Sequence, residues 1–235
     1  MRAARGLRGI GWRLIARFDT RYSLSKTVDG LRVGISTADG PRVGTSEKEF
    51  ERHLHPVEEA LSLIKTYDRV RYDRLRRDLE NVWVQLLFGP RGSFNRSLNR
   101  CELDTRFVIA QASSPEMIAS VIVHEATHAR LSHCGFGYGE EVRPRMESIC
   151  VRRELAFARR LPHGDRVRDW AEAKLKWCEA PDHLMDAARD DEFVEGSIEA
   201  LRYVETPAWM LRALRVLLTT GVRVKRYVRW AKPRR

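Results

Sequence analysis

One helix predicted between Ser114 and Gly135 constrains the fold of this chain more than any other stretch. Ser114 can cap it with Pro115 in the first helical position, or Ser113 can cap it with Glu116 completing a capping box. Apolar residues then recur at spacings of three and four, at Ile118, Val121, Ile122 and Ala129. Gly135 follows the last helical residue, as glycine often does where a helix ends. The pattern predicts a long helix with one apolar face, around which a hydrophobic core has to form.

Two histidines lie four residues apart in the middle of this predicted helix, in the run His124-Glu125-Ala126-Thr127-His128. Side chains at this spacing share a helix face, with Cβ atoms about 5–6 Å apart. Two ring nitrogens at that separation can bind one Zn²⁺ at about 2.0–2.1 Å each. Glu125 then lies within reach of a water on the metal and is the predicted general base. The alternative is that both histidines are ordinary core residues beside an unrelated acid.

A tetrahedral catalytic zinc takes three protein ligands and a water, so a third ligand is needed. Glu147 lies 19 residues after His128, beyond a glycine-rich turn that is long enough to reverse the chain. The helical pattern from 145 to 161 has its apolar residues at Met146, Ile149, Cys150, Phe157 and Leu161. A carboxylate near such a stripe must be paired or bind a metal. Glu154 is the alternative ligand, a residue that supports a ligand, or an exposed acid that pairs with arginines.

These residues resemble the gluzincin branch of the zinc metallopeptidases, the thermolysin-like group, in its minimal small-domain form. In that family the two histidines of HExxH and a glutamate on the next helix hold zinc, while the motif glutamate activates the water. The resemblance covers about residues 80–161. It implies that His124, His128 and Glu147 are zinc ligands and that Glu125 is the base in peptide-bond hydrolysis.

A second group of zinc peptidases, the metzincins, fits the sequence less well. In their pattern a glycine three residues after the second histidine breaks the helix, and a third histidine follows three residues later. Those positions hold Leu131 and Cys134 here. Cys134 is chemically able to bind zinc as a soft ligand, but the chain departs from the metzincin pattern at both positions.

A hydrolase also needs a hydrogen-bond donor for the charge that develops on the scissile carbonyl. Tyr138 lies in the glycine-rich turn that connects the two predicted helices, and it is the candidate for this role. An aromatic residue in such a loop can instead simply pack against the surface.

Two predicted strands precede the motif helix. Residues 81–88 are β-branched and aromatic and are closed by a turn at 89–92, while residues 102–110 alternate in their first half. Together they predict a small antiparallel sheet packed on the motif helix. The second strand is the predicted substrate-binding edge, where an extended peptide would pair with the main chain. The alternative is that both are ordinary core strands.

Helical periodicity dominates the rest of the chain, in residues 46–77, 165–178, 193–204 and 207–218. The predicted fold class is therefore α+β, mainly helical with a small sheet. A turn pattern at 38–41 predicts a hairpin within residues 31–43. We divide the chain into a basic arm with this hairpin at 1–45, a metallopeptidase-like segment at 46–204 and a basic amphipathic segment at 205–235.

The four cysteines form no CxxC pair, which favours reduced thiols in a reducing compartment. Arg13 and Arg17 interrupt any apolar run near the N-terminus, so that a typical signal peptide is not expected. No stretch approaches the roughly 18 apolar residues that span a bilayer. The expected location is the cytoplasm, either free or in peripheral contact with a membrane.

Positive charge is concentrated at the two ends of the chain. Residues 1–33 hold eight Lys or Arg against two acids, and residues 202–235 hold ten against one. Both ends also contain apolar residues at helical spacing, which suits an anionic membrane surface or a nucleic-acid backbone. The alternative function is therefore a non-catalytic basic protein that binds one of these partners through its terminal segments.

Overall fold

The computed structural model describes residues 23–36, 47–137, 139, 141–178 and 182–231. The strands are β1 (Ser23–Val28), β2 (Leu31–Ser36), β3 (Asn81–Gln85), β4 (Gly92–Asn95) and β5 (Arg100–Asp104). The first four helices are α1 (Glu47–Tyr67), α2 (Arg69–Asp78), α3 (Thr105–Ile109) and α4 (Pro115–His133). The later helices are α5 (Arg143–Ala158), α6 (Asp165–Cys178), α7 (Asp182–Tyr203) and α8 (Ala208–Ala231). The predicted α+β class is confirmed.

The sheet is mixed, with the strand order β1-β2-β3-β5-β4. The outer pairs β1–β2 and β4–β5 are antiparallel, whereas β2–β3 and β3–β5 are parallel. The two strands that the sequence predicts, β3 and β5, are neighbours but run in the same direction. The chain leaves β3, forms β4 at the edge of the sheet and returns as β5 between them. The expectation of a wholly antiparallel sheet is therefore wrong.

The edge strand of the sheet near the motif helix is β4, not the predicted second strand. β5 is paired on both sides and all its residues are buried. The residues that follow it, Thr105–Ile109, form α3 instead of continuing the strand. Asp104 caps this helix by accepting a hydrogen bond of 2.7 Å from the backbone N–H of Arg106. The short β4 begins in the stretch that the sequence predicts to be a turn, which is why the edge was assigned to the wrong strand.

The N-terminal hairpin of the described residues joins β1 to β2 through a two-residue turn. Asp29 and Gly30 both have positive φ, +50° and +84°, as a tight hairpin turn of this type requires. Leu31–Ser36 is a strand within the predicted 31–43 hairpin, but it pairs with the residues that precede it. The predicted turn at 38–41 lies outside the described residues.

The motif helix α4 lies in the hydrophobic core. Ser114 is its N-cap, and Pro115 takes the first helical position, as predicted. Gly135 follows with a φ of +80°. Ile118, Ile122 and Val123 are completely buried, and the helix packs against α1, α2, α5 and the β4–β5 edge of the sheet. This packing holds the middle of α4 between the sheet and α5.

Two compact units make up the described chain. The first comprises the described part of 1–86 and 91–179, and the second the described part of 87–90 and 180–235. The predicted 46–204 segment therefore overlaps both units. α4, α5 and the sheet belong to the first unit, and α7 and α8 to the second. Across the described ranges, no helix has the length and apolar character needed to cross a bilayer.

Candidate metal centre

His124 and His128 face each other on one side of α4. Their Nε2 atoms are 3.2 Å apart and their ring centroids are 5.0 Å apart. The two residues are only 4% and 7% exposed. Two buried ring nitrogens at this distance share either one proton or one cation. The helical spacing predicted from the sequence thus brings the two side chains together.

Glu147 supplies carboxylate oxygens to the same point from α5. Its Oε2 is 3.3 Å from Nε2 of His124, and its Oε1 is 3.5 Å from Nε2 of His128. Around a tetrahedral zinc with bonds of about 2.0–2.1 Å, neighbouring ligand atoms are about 3.3–3.4 Å apart. The three donor groups therefore have the separations that a zinc ion requires of its ligands.

Cys150 is a second donor on the same face of α5, one turn after Glu147. Its Sγ and a nitrogen of each imidazole lie within 4.8 Å of one another. Burial raises the pKa of this thiol well above its usual range, and the carboxylates of Glu147 and Glu125 raise it further. Glu147 and Cys150 are therefore the two candidates for the third ligand, and the distances from the Glu147 oxygens to the two Nε2 atoms match the separations expected around zinc.

Glu154 holds His124 from the opposite side of the ring. Its side chain is fully buried, and its Oε2 accepts a hydrogen bond of 3.0 Å from Nδ1–H of His124. Its Oε1 accepts a bond of 2.7 Å from the hydroxyl of Ser120. Burial alone would raise the pKa of Glu154, but the His124 charge and these hydrogen bonds lower it.

This contact corrects one of the alternatives that the sequence left open for Glu154. The residue is not an exposed acid paired with arginines, because it lies on the buried face of α5 two turns after Glu147. A carboxylate on Nδ1 keeps the proton there and leaves Nε2 of His124 directed at His128 and Glu147. Histidines that bind metals are commonly oriented in this way.

Glu125 lies between α4 and the edge strand β4. It is 7% exposed, and a Cβ built on Gly92 would lie 3.4 Å from its Oε1. Burial raises the pKa of Glu125 above its ordinary value, although the charges of His124 and His128 oppose the shift. A carboxylate with a raised pKa next to a metal-ligand cluster is suited to accept and release a proton.

No family model, curated protein or solved structure matches this chain. What the site can do is therefore argued from its own chemistry.

Lys174 is a charged residue at this centre for which the sequence offers no signal. It lies on α6, half-buried, with its Nζ 5.2 Å from the centroid of the Trp170 ring. Burial alone would lower its pKa, but the carboxylates of Glu154, Glu147 and Glu125 raise it. In the sequence it is one lysine among the charged residues of an amphipathic helix, so only the packing of α6 onto α5 reveals it.

The charges of the site favour a cation between the histidines. The carboxylates of Glu125, Glu147 and Glu154 outnumber the ammonium of Lys174. Burial lowers the pKa of His124 and Lys174 opposes its charge, but Glu154 and Glu147 outweigh both and raise that pKa to about 9. The acids around the ring thus stabilise positive charge at its nitrogens, whether a proton or a metal ion provides it.

One other sequence candidate, Cys134, does not join this cluster. Cys134 is exposed, at the C-terminal end of α4, because it lies beyond the buried part of the helix. Tyr138 lies outside the described residues.

Proposed function

We propose that this protein is a zinc-dependent metallopeptidase in which His124, His128 and Glu147 bind the metal. The observation that carries the proposal is the triangle of donors, with sides of 3.2, 3.3 and 3.5 Å between groups on two adjacent helices. Separate partners could satisfy the hydrogen bonding of two core histidines, whereas here both Nε2 atoms and both oxygens of one carboxylate converge on one point. The donor set of two imidazoles and one carboxylate is one that catalytic zinc uses.

The residues around the triangle fit the tasks of peptide-bond hydrolysis. Zinc bound there would polarise the scissile carbonyl and lower the pKa of a water to about 7. Glu125 takes the proton of the attacking water and delivers it to the leaving amine. Glu154 holds His124 in the tautomer whose Nε2 is free to bind. Lys174 adds positive charge to the site, where the carboxylates of Glu154, Glu147 and Glu125 raise its pKa.

The edge strand β4 supports a peptide as the substrate. Its outer side has no strand partner within the described part of the sheet, so its main chain can pair with an extended peptide. A Cβ built on Gly92, the first residue of β4, would lie 3.4 Å from the Glu125 side chain. A peptide paired along β4 would therefore pass close to the proposed base.

Metal content tests the proposal directly. The purified full chain and the His124→Ala variant are loaded with zinc, dialysed and measured by elemental mass spectrometry. His133→Ala serves as the matched control, since His133 is an exposed histidine at the end of the same helix. We expect about one zinc per chain in the native and control proteins and none in His124→Ala. Native protein without stoichiometric zinc would refute the metal site.

Activity is tested separately on a mixture of unstructured peptides whose fragments are read by mass spectrometry. We expect cleavage by the zinc-loaded native protein and the His133→Ala control, and none by His124→Ala. Stoichiometric zinc with no cleavage of any peptide would leave the metal site standing and refute the peptidase.

A further inference from the structure

The C-terminal helix α8 has two different apolar faces. Leu211, Leu214, Leu218 and Val222 are half-buried, on the side where α8 packs against α7. A second set of large apolar residues is exposed, with Trp209 at 70%, Val216 at 65%, Leu217 at 66% and Val224 at 57%. We call this second set the exposed stripe.

The exposed stripe is continuous on the helix surface. With 3.6 residues per turn, its four residues fall within an arc of about 100°. The half-buried leucines are centred on the opposite side of the helix. The stripe is therefore a second apolar face of α8 and not the margin of the first one. Packing against α7 does not explain why these residues are apolar.

Arginines border the exposed stripe on one side. Arg212 and Arg223 are exposed and lie about 20–40° around the helix from Val216. Arg215, further round, is engaged by Glu195 of α7, with Nη2 2.9 Å from Oε2. After Glu205 the chain contains nine Lys or Arg and no acid. Along residues 208–224, α8 itself carries three arginines and no acid, and Arg223 also lines a pocket with Asp191 and Glu195 of α7.

We infer that α8 binds an anionic lipid surface, with the exposed stripe inserted among the acyl chains and Arg212 and Arg223 at the headgroups. Helices with this division into apolar and basic faces lie in the plane of the bilayer interface. Tryptophan is favoured at that depth, because its ring is apolar and its N–H is polar. Each basic side chain adds attraction to anionic lipid.

Other occupants fit the same surface less well. A nucleic-acid backbone would use the arginines but would leave Val216, Leu217 and Val224 without an apolar contact. A second copy of α8, or the basic segment at 1–33, would bring like charge to the arginines. The lipid surface alone satisfies both parts of this face. The inference is independent of the proposed zinc chemistry.

Vesicle binding by the full chain tests the inference. Sedimentation is measured with phosphatidylcholine vesicles and with vesicles that also contain phosphatidylglycerol. We expect the native chain to bind the anionic vesicles at least about tenfold more tightly than the neutral ones. Hydrogen exchange in α8 should slow when anionic vesicles are added. Absence of binding, or no slowing in α8, would overturn the inference.

Two double variants separate the apolar and charged contributions. Val216→Ser with Leu217→Ser should weaken binding to anionic vesicles at least about tenfold. Arg212→Gln with Arg223→Gln should remove most of the preference for anionic over neutral vesicles. The controls are Val70→Ser, an exposed valine on α2, and Arg74→Gln with Arg159→Gln, which make the same charge change elsewhere. Circular dichroism must show native helix content in each variant.

The controls also decide between partners. If the stripe variant binds vesicles as tightly as the native chain, or if the control arginines matter as much as Arg212 and Arg223, the inference is wrong. Binding of an oligonucleotide that is tighter than vesicle binding and insensitive to the stripe variant would assign the helix to nucleic acid instead.

Discussion

At the scale of single residues, the acids decide what the two histidines of α4 can do. His124 contacts a carboxylate at each ring nitrogen, Glu154 at Nδ1 and Glu147 at Nε2. Burying two carboxylates around one imidazole is costly unless positive charge compensates them. The site therefore has the donors and the charge balance of a cation site, beyond the HExxH spacing itself.

Replacing the proposed base should separate catalysis from metal binding. We expect Glu125→Gln to keep zinc and native stability while peptide hydrolysis falls at least about 100-fold, because the amide cannot accept the proton. Glu116→Gln, in the first turn of the same helix, is the control and should stay active. Hydrolysis is followed on any peptide that the native protein cleaves. An active Glu125→Gln variant would exclude this role.

The third ligand is identified by comparing two donors of α5. Glu147→Gln should lower zinc affinity by more than about 100-fold, whereas Cys150→Ala should bind zinc nearly as tightly as the native chain. The reason is that the two Glu147 oxygens lie 3.3 and 3.5 Å from the histidine Nε2 atoms, close to the separations of ligand atoms around zinc. Affinity is measured by competition with a chromophoric chelator. A larger loss of zinc affinity in Cys150→Ala than in Glu147→Gln would identify Cys150 as the ligand.

The role that we propose for Glu154 is to orient His124 through the hydrogen bond to Nδ1. Glu154→Gln should weaken zinc binding about 10–100-fold, since an amide supports the Nδ1 proton less strongly than a carboxylate. Ser120→Ala, which removes only the hydroxyl bond to Glu154, should have a smaller effect in the same direction. The zinc affinity of both variants is measured by competition with a chromophoric chelator. Unchanged affinity in Glu154→Gln would show that the contact has no role in metal binding.

At the scale of elements, the close approach of β4 to α4 places the Glu125 side chain beside the edge of the sheet. A Cβ built on Gly92 would lie 2.4 Å from Cγ1 of Val121, which is closer than two non-bonded carbon atoms can approach. Glycine at this position therefore lets the edge strand pack directly on the motif helix. It also leaves the space beside the Glu125 carboxylate free of a side chain.

Adding that Cβ should destabilise the protein. We expect Gly92→Ala to lower the free energy of unfolding by about 1–3 kcal/mol, because β4 or Val121 must shift. Ser93→Ala is the matched control on the same strand. The measurement is urea unfolding followed by circular dichroism. A Gly92→Ala variant as stable as the control would mean that β4 does not pack this closely on α4.

At the scale of the whole molecule, the proposed ligands link α4 to α5 within one unit. A ligand that binds only the folded state stabilises it, by about 2.7 kcal/mol at a concentration of 100 times Kd. The second unit, with α7 and α8, holds none of the proposed ligands. Zinc should therefore stabilise the first unit more than the second.

Removal of zinc should lower the thermal stability of the native chain. We expect a chelator to reduce Tm by several degrees, and addition of zinc to restore it. The Tm of the His124→Ala variant should be the same with and without the chelator. Differential scanning calorimetry checks both. Equal Tm values for the native chain in zinc and in chelator would argue against a zinc ion linking the two helices.

Much of the site could be predicted because it depends on local geometry. The cap at Ser114, the apolar spacing of α4 and the stop at Gly135 are all encoded within a few residues of where they act. The four-residue spacing of His124 and His128 follows from the helix alone. Glu147 could also be predicted as a neighbour of the two histidines, because its helix directly follows α4 in the chain.

The remaining parts depend on packing between distant segments. The bond from Glu154 to His124 spans 30 residues of sequence, and the apolar stripe of α5 indicates that an acid beside it needs a partner but not which partner it has. Lys174 reaches the site only because α6 packs on α5. Sequence alone does not predict the edge strand β4, because its four half-buried residues, which begin with Gly92, show no alternation typical of a strand.

By itself, the sequence determined most of the long helices, the α+β class and the HExxH pair, because hydrogen bonding and side-chain spacing within a helix are short-range. Only the tertiary structure decided which carboxylate contacts which ring nitrogen and which strand forms the edge. It also decided which apolar face of α8 remains exposed. These outcomes depend on contacts between residues far apart in the chain, whose energies no local pattern encodes.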